Sequence, residues 1–271
     1  MQLALNQMTV PNLEFEAFLD LAAQLDCVGV EARNDLGRPL YDGIAASLAG
    51  EKIRSRGLLL LGVSQIYPFN DWDSEREHEV RSLVALAADA GSKTICLIPR
   101  NDGTGLGNGE RQAKLRLALR SILPILQDAD LVGLVEPLGF GRSSLRSKDE
   151  LVQMISSLGA EANLKIVHDT FHHTIAGGGA IYPECTGIVH ISGVVDPKLS
   201  LGEMEDEHRI LVNSQDRLGN IEQIKTFLSA GYAGAFSFES FAPEVHALVE
   251  PYAEIRGSMD FISSQIAATA A

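Results

Sequence analysis

The stretch LKIVHDTFHHTI, residues 164–175, joins an apolar strand pattern to a cluster of ionisable side chains. Leu164, Ile166 and Val167 form a nearly continuous hydrophobic run, which is typical of a strand buried on both faces of a parallel sheet. The run ends in Asp169, and three histidines lie beside that carboxylate. Burying such groups costs free energy unless they are paired or bind a metal. The stretch therefore predicts either a structural network or a functional site at the end of a buried strand.

Similar apolar runs recur along the chain, and each is followed by a turn and a longer helical pattern. The eight runs lie at residues 2–7, 27–33, 58–66, 93–99, 131–137, 164–170, 187–193 and 234–240. Strand and helix alternate without a linker or a change in composition, which predicts one (β/α)8 TIM-barrel domain over residues 1–271. An open, doubly wound sheet is the alternative, but it would need a glycine-rich fingerprint after its first strand, where this chain reads NQMTVPN.

Helix ends are predicted from capping residues. The first helical pattern follows Pro11 and is expected to start with Asn12 as its cap. A second pattern is expected to start at Ser74, with Glu77 three residues later as in a capping box, and to stop at Gly91.

Composition excludes several classes of partner. The chain has 36 acidic and 22 basic residues, a formal net charge of −14, which argues against nucleic acid or an anionic membrane as partner. A small anionic substrate remains open, because it needs only one or two local cations. The three cysteines show no CxxC spacing, so a thiolate zinc site is not expected and a reducing compartment is favoured. The first residues resemble neither a signal peptide nor a membrane span, and a cytoplasmic protein is expected.

Active sites of such barrels lie at the carboxyl ends of the strands, so polar residues there are the functional candidates. These strand-end residues are Glu31, Arg33, Gln65, Glu136, Asp169, His172, His190 and Glu239. Strands five to eight thus present two glutamates, an aspartate and a histidine to one mouth. Three crowded carboxylates resist joint ionisation, and one divalent cation would resolve that conflict. Oxygen ligands with one imidazole suit Mn²⁺, Mg²⁺, Co²⁺ or Zn²⁺.

Several of these residues also have a structural interpretation. Glu31 and Arg33 are candidates for substrate contact, yet they could equally form a salt bridge with each other. His168 precedes Asp169 and should point to the opposite face of its strand, where it would pack. His173 and His208 are expected in surface or loop positions.

The sequence resembles the xylose isomerase-like TIM-barrel superfamily over nearly its whole length, near the D-tagatose 3-epimerase, hydroxypyruvate isomerase and inosose isomerase families of carbohydrate and inositol metabolism. The motifs VEPLGF, VHDTFHH, VHISG and FSFES carry the resemblance. It implies a metal site made of Glu136, Asp169, His190 and Glu239. The Asp-x-x-His element implies substrate contact by His172, and DEHRILV offers Arg209 as a substrate-binding arginine. The segments HISGVVDP and LVNSQDRLGN depart from the family pattern, so the substrate-facing loop is a variant.

The resemblance implies a metal-dependent isomerase or epimerase that acts on a ketose or keto-inositol. Glu136 and Glu239 would transfer protons next to the carbonyl through a metal-stabilised cis-enediolate. Two alternatives stay open: a decarboxylase or dehydratase of a sugar-derived keto-acid or keto-inositol on the same site, and a non-catalytic metal- or sugar-binding barrel. The expected partner is a small sugar or keto-polyol, and the resemblance implies a homo-oligomer, a dimer or tetramer.

Overall fold

The computed structural model of the chain describes residues 1–268 and contains a strand at each predicted apolar run. The strands are β1 (Gln2–Asn6), β2 (Gly29–Arg33), β3 (Leu59–Ile66), β4 (Thr94–Leu97), β5 (Val132–Val135), β6 (Leu164–Asp169), β7 (Thr186–Ile191) and β8 (Ala235–Phe238). Each strand pairs in parallel with the next, and β1 also pairs with β8, so the sheet closes into a barrel. The predicted (β/α)8 barrel is confirmed.

Helices connect consecutive strands and surround the barrel. The α-helices are α1 (Phe15–Gln24), α2 (Ala46–Ser55), α3 (Ser74–Ala90), α4 (Asn108–Asp128), α5 (Lys148–Ser157), α6 (Thr170–Ile175), α7 (Asn220–Ser229), α8 (Pro243–His246) and α9 (Pro251–Ala267). Short 3₁₀ helices lie at Gln7–Thr9, Leu40–Gly43, Pro183–Cys185, Leu201–Glu203 and Asp206–His208. None of the helices within residues 1–268 is long and apolar enough to cross a membrane.

Helix α3 begins at Ser74 and is capped at its end by Gly91, as predicted, but the two predicted N-terminal caps were wrong. Asn12 does not cap α1, because its side chain donates to the carbonyl of His246 over 2.8 Å, and Asp42 instead accepts from the first helical amide. Helix α3 is capped by Asp73, whose carboxylate accepts from the amide of Arg76, so Ser74 is the first helical residue rather than the cap. Asp42 reaches α1 from the 3₁₀ helix Leu40–Gly43, a contact that no local pattern predicts, whereas Asp73 directly precedes α3 and was available as a capping residue.

Successive side chains of each strand point to opposite faces of the sheet, so the strands contribute to two separate apolar layers. Outward-facing side chains pack against the helices and form the main core. Inward-facing side chains fill the barrel below its mouth in a smaller cluster of Cys96, Leu134, Val167 and Ile188. Leu134, Val167 and Ile188 each lie two residues before a polar residue at a strand end, and hence on the same face. The apolar layer therefore forms the floor on which the polar residues of the mouth rest.

Candidate metal centre

Four ionisable side chains meet at the carboxyl ends of β5 to β8. One ligand atom from each of Glu136, Asp169, His190 and Glu239 lies within 4.8 Å of the others. All four residues are at most 5% exposed. Asp169 and His190 are register partners on adjacent strands, which fixes their proximity through backbone pairing. The cluster thus rests on the rigid part of the barrel rather than on loops.

The imidazole of His190 is oriented by contacts on both of its nitrogens. Nε2 lies 3.1 Å from Oε2 of Glu31, and Nδ1 lies 3.2 Å from Oε2 of Glu239 and 3.9 Å from Oε1 of Glu136. Nδ1 is buried and has no hydrogen-bond partner among the described residues. A proton held on Nε2 by Glu31 leaves the Nδ1 lone pair directed at the carboxylates, as a metal ligand requires.

The charges in the cluster are strongly coupled. Burial raises the pKa of Glu136 and also that of Asp169, and the negative charge of Glu239 adds to both shifts. Burial disfavours the imidazolium, but Glu239 and Glu31 outweigh it and raise the pKa of His190 well above its usual value. A proton on His190 thus partly neutralises the carboxylates when no metal is bound. A divalent cation would neutralise them more completely and displace that proton, so the residues fit a metal site.

Two buried arginines border the cluster. Arg209 donates through Nη2 to Asp169 Oδ2 at 2.5 Å and to Glu239 Oε2 at 3.0 Å. Arg33 donates through Nη1 to Glu239 Oε1 at 2.7 Å. Burial would raise the pKa of Glu239, but His190 and the two arginines outweigh it and hold that pKa well below its usual value. Glu239 is therefore the most firmly ionised carboxylate of the cluster.

The cluster opens into a cleft of about 220 Å³. The cleft is lined by Arg33, Asp35, Gln65, Tyr67, Ile98, Asn101, Glu136, Leu138, Phe140, His172, Asp206, Arg209, Glu239 and Phe241. Nε2 of His172 lies 3.9 Å from Oε1 of Glu136, and its ring contacts Phe140 edge to face. Burial and the nearby Arg209 lower the pKa of His172 to about 4, which keeps this imidazole neutral.

Most of the predicted site residues meet at this mouth, but Glu31 does not line the cleft. It is fully buried behind His190, and its partner is that imidazole rather than Arg33. Arg33 instead pairs with Asp35 and Glu239. His168 points away from the cleft and contacts Gln223 of α7, as the alternation along β6 predicted.

Sequence reasoning missed eight residues that line the cleft: Asp35, Tyr67, Ile98, Asn101, Leu138, Phe140, Asp206 and Phe241. They lie in the segments that follow the strands, where no periodic pattern reports which side chain turns inward. Their positions after strand ends were the available signal.

The fold is a (β/α)8 barrel with three carboxylates and an imidazole gathered at its mouth, where they could hold a metal ion. The family model for the xylose isomerase-like TIM barrel matches residues 19–265. The chain belongs to this family.

Solved structures of similar proteins cover almost the whole chain. A xylose isomerase domain-containing protein of Salmonella typhimurium LT2 has 29% identity and a TM-score of 0.89, over 98% of this chain and 97% of that chain. An IolI protein with a bound zinc atom has 17% identity and a TM-score of 0.83, over 99% of each chain. D-psicose 3-epimerase of Clostridium cellulolyticum H10, solved with D-tagatose, has 13% identity and a TM-score of 0.75, over 98% of this chain and 99% of that chain. No curated protein sequence gives a significant match.

Proposed function

We propose that the protein is a divalent-metal-dependent isomerase or epimerase of a small polyhydroxy carbonyl compound, a ketose or keto-inositol. The observation that carries the proposal is the presence of two buried glutamates, Glu136 and Glu239, in one four-residue cluster that opens into a polar cleft. The zinc atom of the IolI protein and the sugar in the epimerase structure belong to those proteins, and they support the same class of chemistry here.

Glu136, Asp169, His190 and Glu239 would hold the metal, which is Mn²⁺, Mg²⁺, Co²⁺ or Zn²⁺ by the chemistry of the donor set. When bound, it would stabilise negative charge on the substrate oxygens as the neighbouring carbon is deprotonated.

The two glutamates perform the proton transfer. One carboxylate removes the proton from carbon, and the other, in its protonated form, returns a proton to the opposite face or to the adjacent carbon. Positioned proton transfer of this kind contributes about 10²–10⁴-fold to the rate. The neutral His172 hydrogen-bonds a substrate oxygen, and Arg209 anchors another while it holds Asp169 and Glu239 in place.

The charges around the cleft favour an uncharged substrate over a keto-acid. Arg33 is neutralised by Asp35 and Glu239. Arg209 is neutralised by Asp169, Asp206 and Glu239. No guanidinium that lines the cleft is thus unpaired within residues 1–268. Decarboxylation of a keto-acid, which requires binding of a carboxylate, is less well supported by this arrangement than isomerisation of a neutral polyol.

Metal content is the first test. Elemental analysis of protein purified without added metal is expected to find about one divalent ion per chain, bound by the four residues. The Asp169→Ala variant, treated with chelator and then offered the same metals, is expected to lose it. Absence of metal binding in the wild-type protein would overturn the proposal.

Exchange of solvent deuterium into substrate tests the roles of the two glutamates. A panel of unphosphorylated ketoses and keto-inositols is incubated in heavy water with the metal-loaded protein, and Glu136→Gln and Glu239→Gln are compared with the exposed-site control Glu222→Gln. Exchange should fall at least about 10²-fold in the first two variants and remain in the control. Exchange at the wild-type rate in either site variant would contradict the assignment, and ligand binding without exchange or turnover in the wild type would favour a binding protein.

A further inference from the structure

A second cavity lies beside the barrel mouth, between the start of α5 and the end of α6. Its volume is about 200 Å³. Asp169 and His172 line its inner wall, but its remaining walls come from residues that the metal centre does not use. The ionisable side chains in these walls are Arg146, Lys148, Asp149 and His173.

Lys148 contacts a different kind of side chain from the lysines that form ion pairs. Lys52, Lys93, Lys114 and Lys225 each lie at ion-pair distance from a carboxylate. Lys148 has no carboxylate at that distance among the described residues. Its Nζ atom instead lies 3.0 Å from Nδ1 of His168 and 2.5 Å from Nδ1 of His173.

Gln223 determines which nitrogen of His168 is free to accept. The amide nitrogen of Gln223 donates to the carbonyls of Thr170 and Leu218, which directs its oxygen Oε1 to Nε2 of His168 at 2.8 Å. Nε2 must therefore donate, and Nδ1 presents a lone pair to Lys148. Lys148 thus donates hydrogen bonds to imidazoles instead of forming an ion pair.

The electrostatic surroundings agree with this geometry. Burial lowers the pKa of Lys148 to about 7, although the negative charges of Asp169 and Asp149 oppose the shift. Burial and Lys148 lower the pKa of His173 to about 4, so this imidazole is neutral near pH 7. Close to half of the Lys148 side chains then carry a free amine at neutral pH, whereas about 0.1% or less of an ordinary exposed lysine does so.

We propose that Lys148 is a nucleophilic amine that captures a short-chain hydroxyaldehyde in this cavity as an imine. Its position at the wall of an open cavity, between two imidazoles and without an ion-pair partner, supports this reactivity. The hydroxyl of Ser147 and the carboxylate of Asp149, which also line the cavity, can hydrogen-bond the hydroxyl groups of such an aldehyde.

The reaction balances without any other reagent. The Nζ lone pair forms a bond to the carbonyl carbon, and the carbonyl π electrons move to oxygen, which takes up a proton from solvent water and leaves hydroxide. Nζ loses one proton to Nδ1 of His173, which gives a neutral carbinolamine. Return of that proton to the hydroxyl group expels water as the carbon–nitrogen double bond forms, and the solvent hydroxide takes the second Nζ proton.

Reductive trapping tests the proposal with the full-length protein. Glycolaldehyde and cyanoborohydride are added near neutral pH, and labelled lysines are located by peptide mass mapping. Lys148 is expected to label at least about tenfold faster than the exposed Lys93. Its rate should rise through about pH 7 and level off at higher pH, as the remaining ammonium loses its proton. The titratable and charged side chains that face Lys148 are His168, His173, Asp149, Asp169 and Arg146.

Three variants complete the test. Lys148→Arg should abolish the fast labelling, whereas Lys93→Arg should leave it intact. His173→Gln should slow labelling of Lys148 by about tenfold, because the proton acceptor is lost. Labelling of Lys148 no faster than Lys93 in the wild-type protein would overturn the proposal, whatever the variants do. An unchanged rate in His173→Gln would overturn the role of that imidazole.

Discussion

Oε2 of Glu31 and Nε2 of His190 lie 3.1 Å apart in the interior of the barrel, where both residues are almost completely buried. The contact fixes the imidazole so that its other nitrogen faces the carboxylates of the cluster. A carboxylate behind a metal-binding histidine commonly sets the orientation of the ring and strengthens it as a ligand. Glu31 is thus a positioning residue of the proposed metal centre.

Replacement of this buried carboxylate should weaken metal binding without removing a ligand. In Glu31→Gln the amide oxygen can still accept from Nε2, but the negative charge is lost. We expect the affinity for the divalent ion to fall about 10–100-fold, as measured by competition with a chromogenic chelator. Glu51→Gln, at an exposed position of α2, is the matched control. Equal affinity in Glu31→Gln and the wild type would show that the contact does not tune the metal site.

Asp169 combines a proposed ligand role with a structural one, and two substitutions separate them. Oδ1 accepts from the backbone amide of His172 at 2.9 Å and caps α6. Asparagine preserves such a cap whereas alanine does not. Both Asp169→Asn and Asp169→Ala should lose metal, but the alanine variant should be less stable by about 1 kcal/mol in urea unfolding without metal. Equal stability of the two variants would argue against the cap, and metal retention in both would argue against the ligand role.

The barrel and the four-residue cluster of Glu136, Asp169, His190 and Glu239 were predictable because both follow from strand periodicity. Apolar runs of the right length located all eight strands, and alternation placed His168 opposite Asp169. The alternation of side chains shows which face of a strand a residue lies on, but it does not show how deep the residue lies along the barrel axis. Glu31 and Arg33 share a face of β2, but Glu31 lies one layer deeper and reaches His190, whereas Arg33 lines the cleft.

The remaining parts of the site depend on tertiary packing. Lys148 meets His168 only because α5 packs beside β6 with its first residue turned toward the sheet, and no local pattern encodes that approach. The same holds for Asp42, which reaches the start of α1 from the 3₁₀ helix Leu40–Gly43, 27 residues along the chain. Such long-range polar contacts are selected by the geometry of the assembled barrel.

The charge balance of the cleft gives a third prediction. Asp35 binds Arg33 through two hydrogen bonds, of 2.8 Å from Nε and 2.7 Å from Nη2. In Asp35→Asn the guanidinium should be only partly neutralised. An aldonate, the anionic analogue of a sugar, should then bind about tenfold tighter, and the gain should shrink as salt is added. Calorimetric titration with the aldonate and with the uncharged alditol measures the difference. A similar gain for both ligands would show that charge is not the cause.

Strand β2 also tolerates no side chain at its first residue, and this provides a test of the fold itself. A Cβ atom at Gly29 would lie 2.4 Å from the carbonyl oxygen of its register partner Leu59 and 2.8 Å from Cγ of Leu61. Gly29→Ala must therefore push β2 and β3 apart, and it should lower the free energy of unfolding by about 1–3 kcal/mol. Gly257 lies at an exposed position of α9 with open space around its Cα, so Gly257→Ala should raise that free energy by roughly 0.5–1 kcal/mol. Urea unfolding of the two variants side by side measures both changes. A neutral or stabilising effect of Gly29→Ala would mean that the close approach of β2 to β3 is absent in solution.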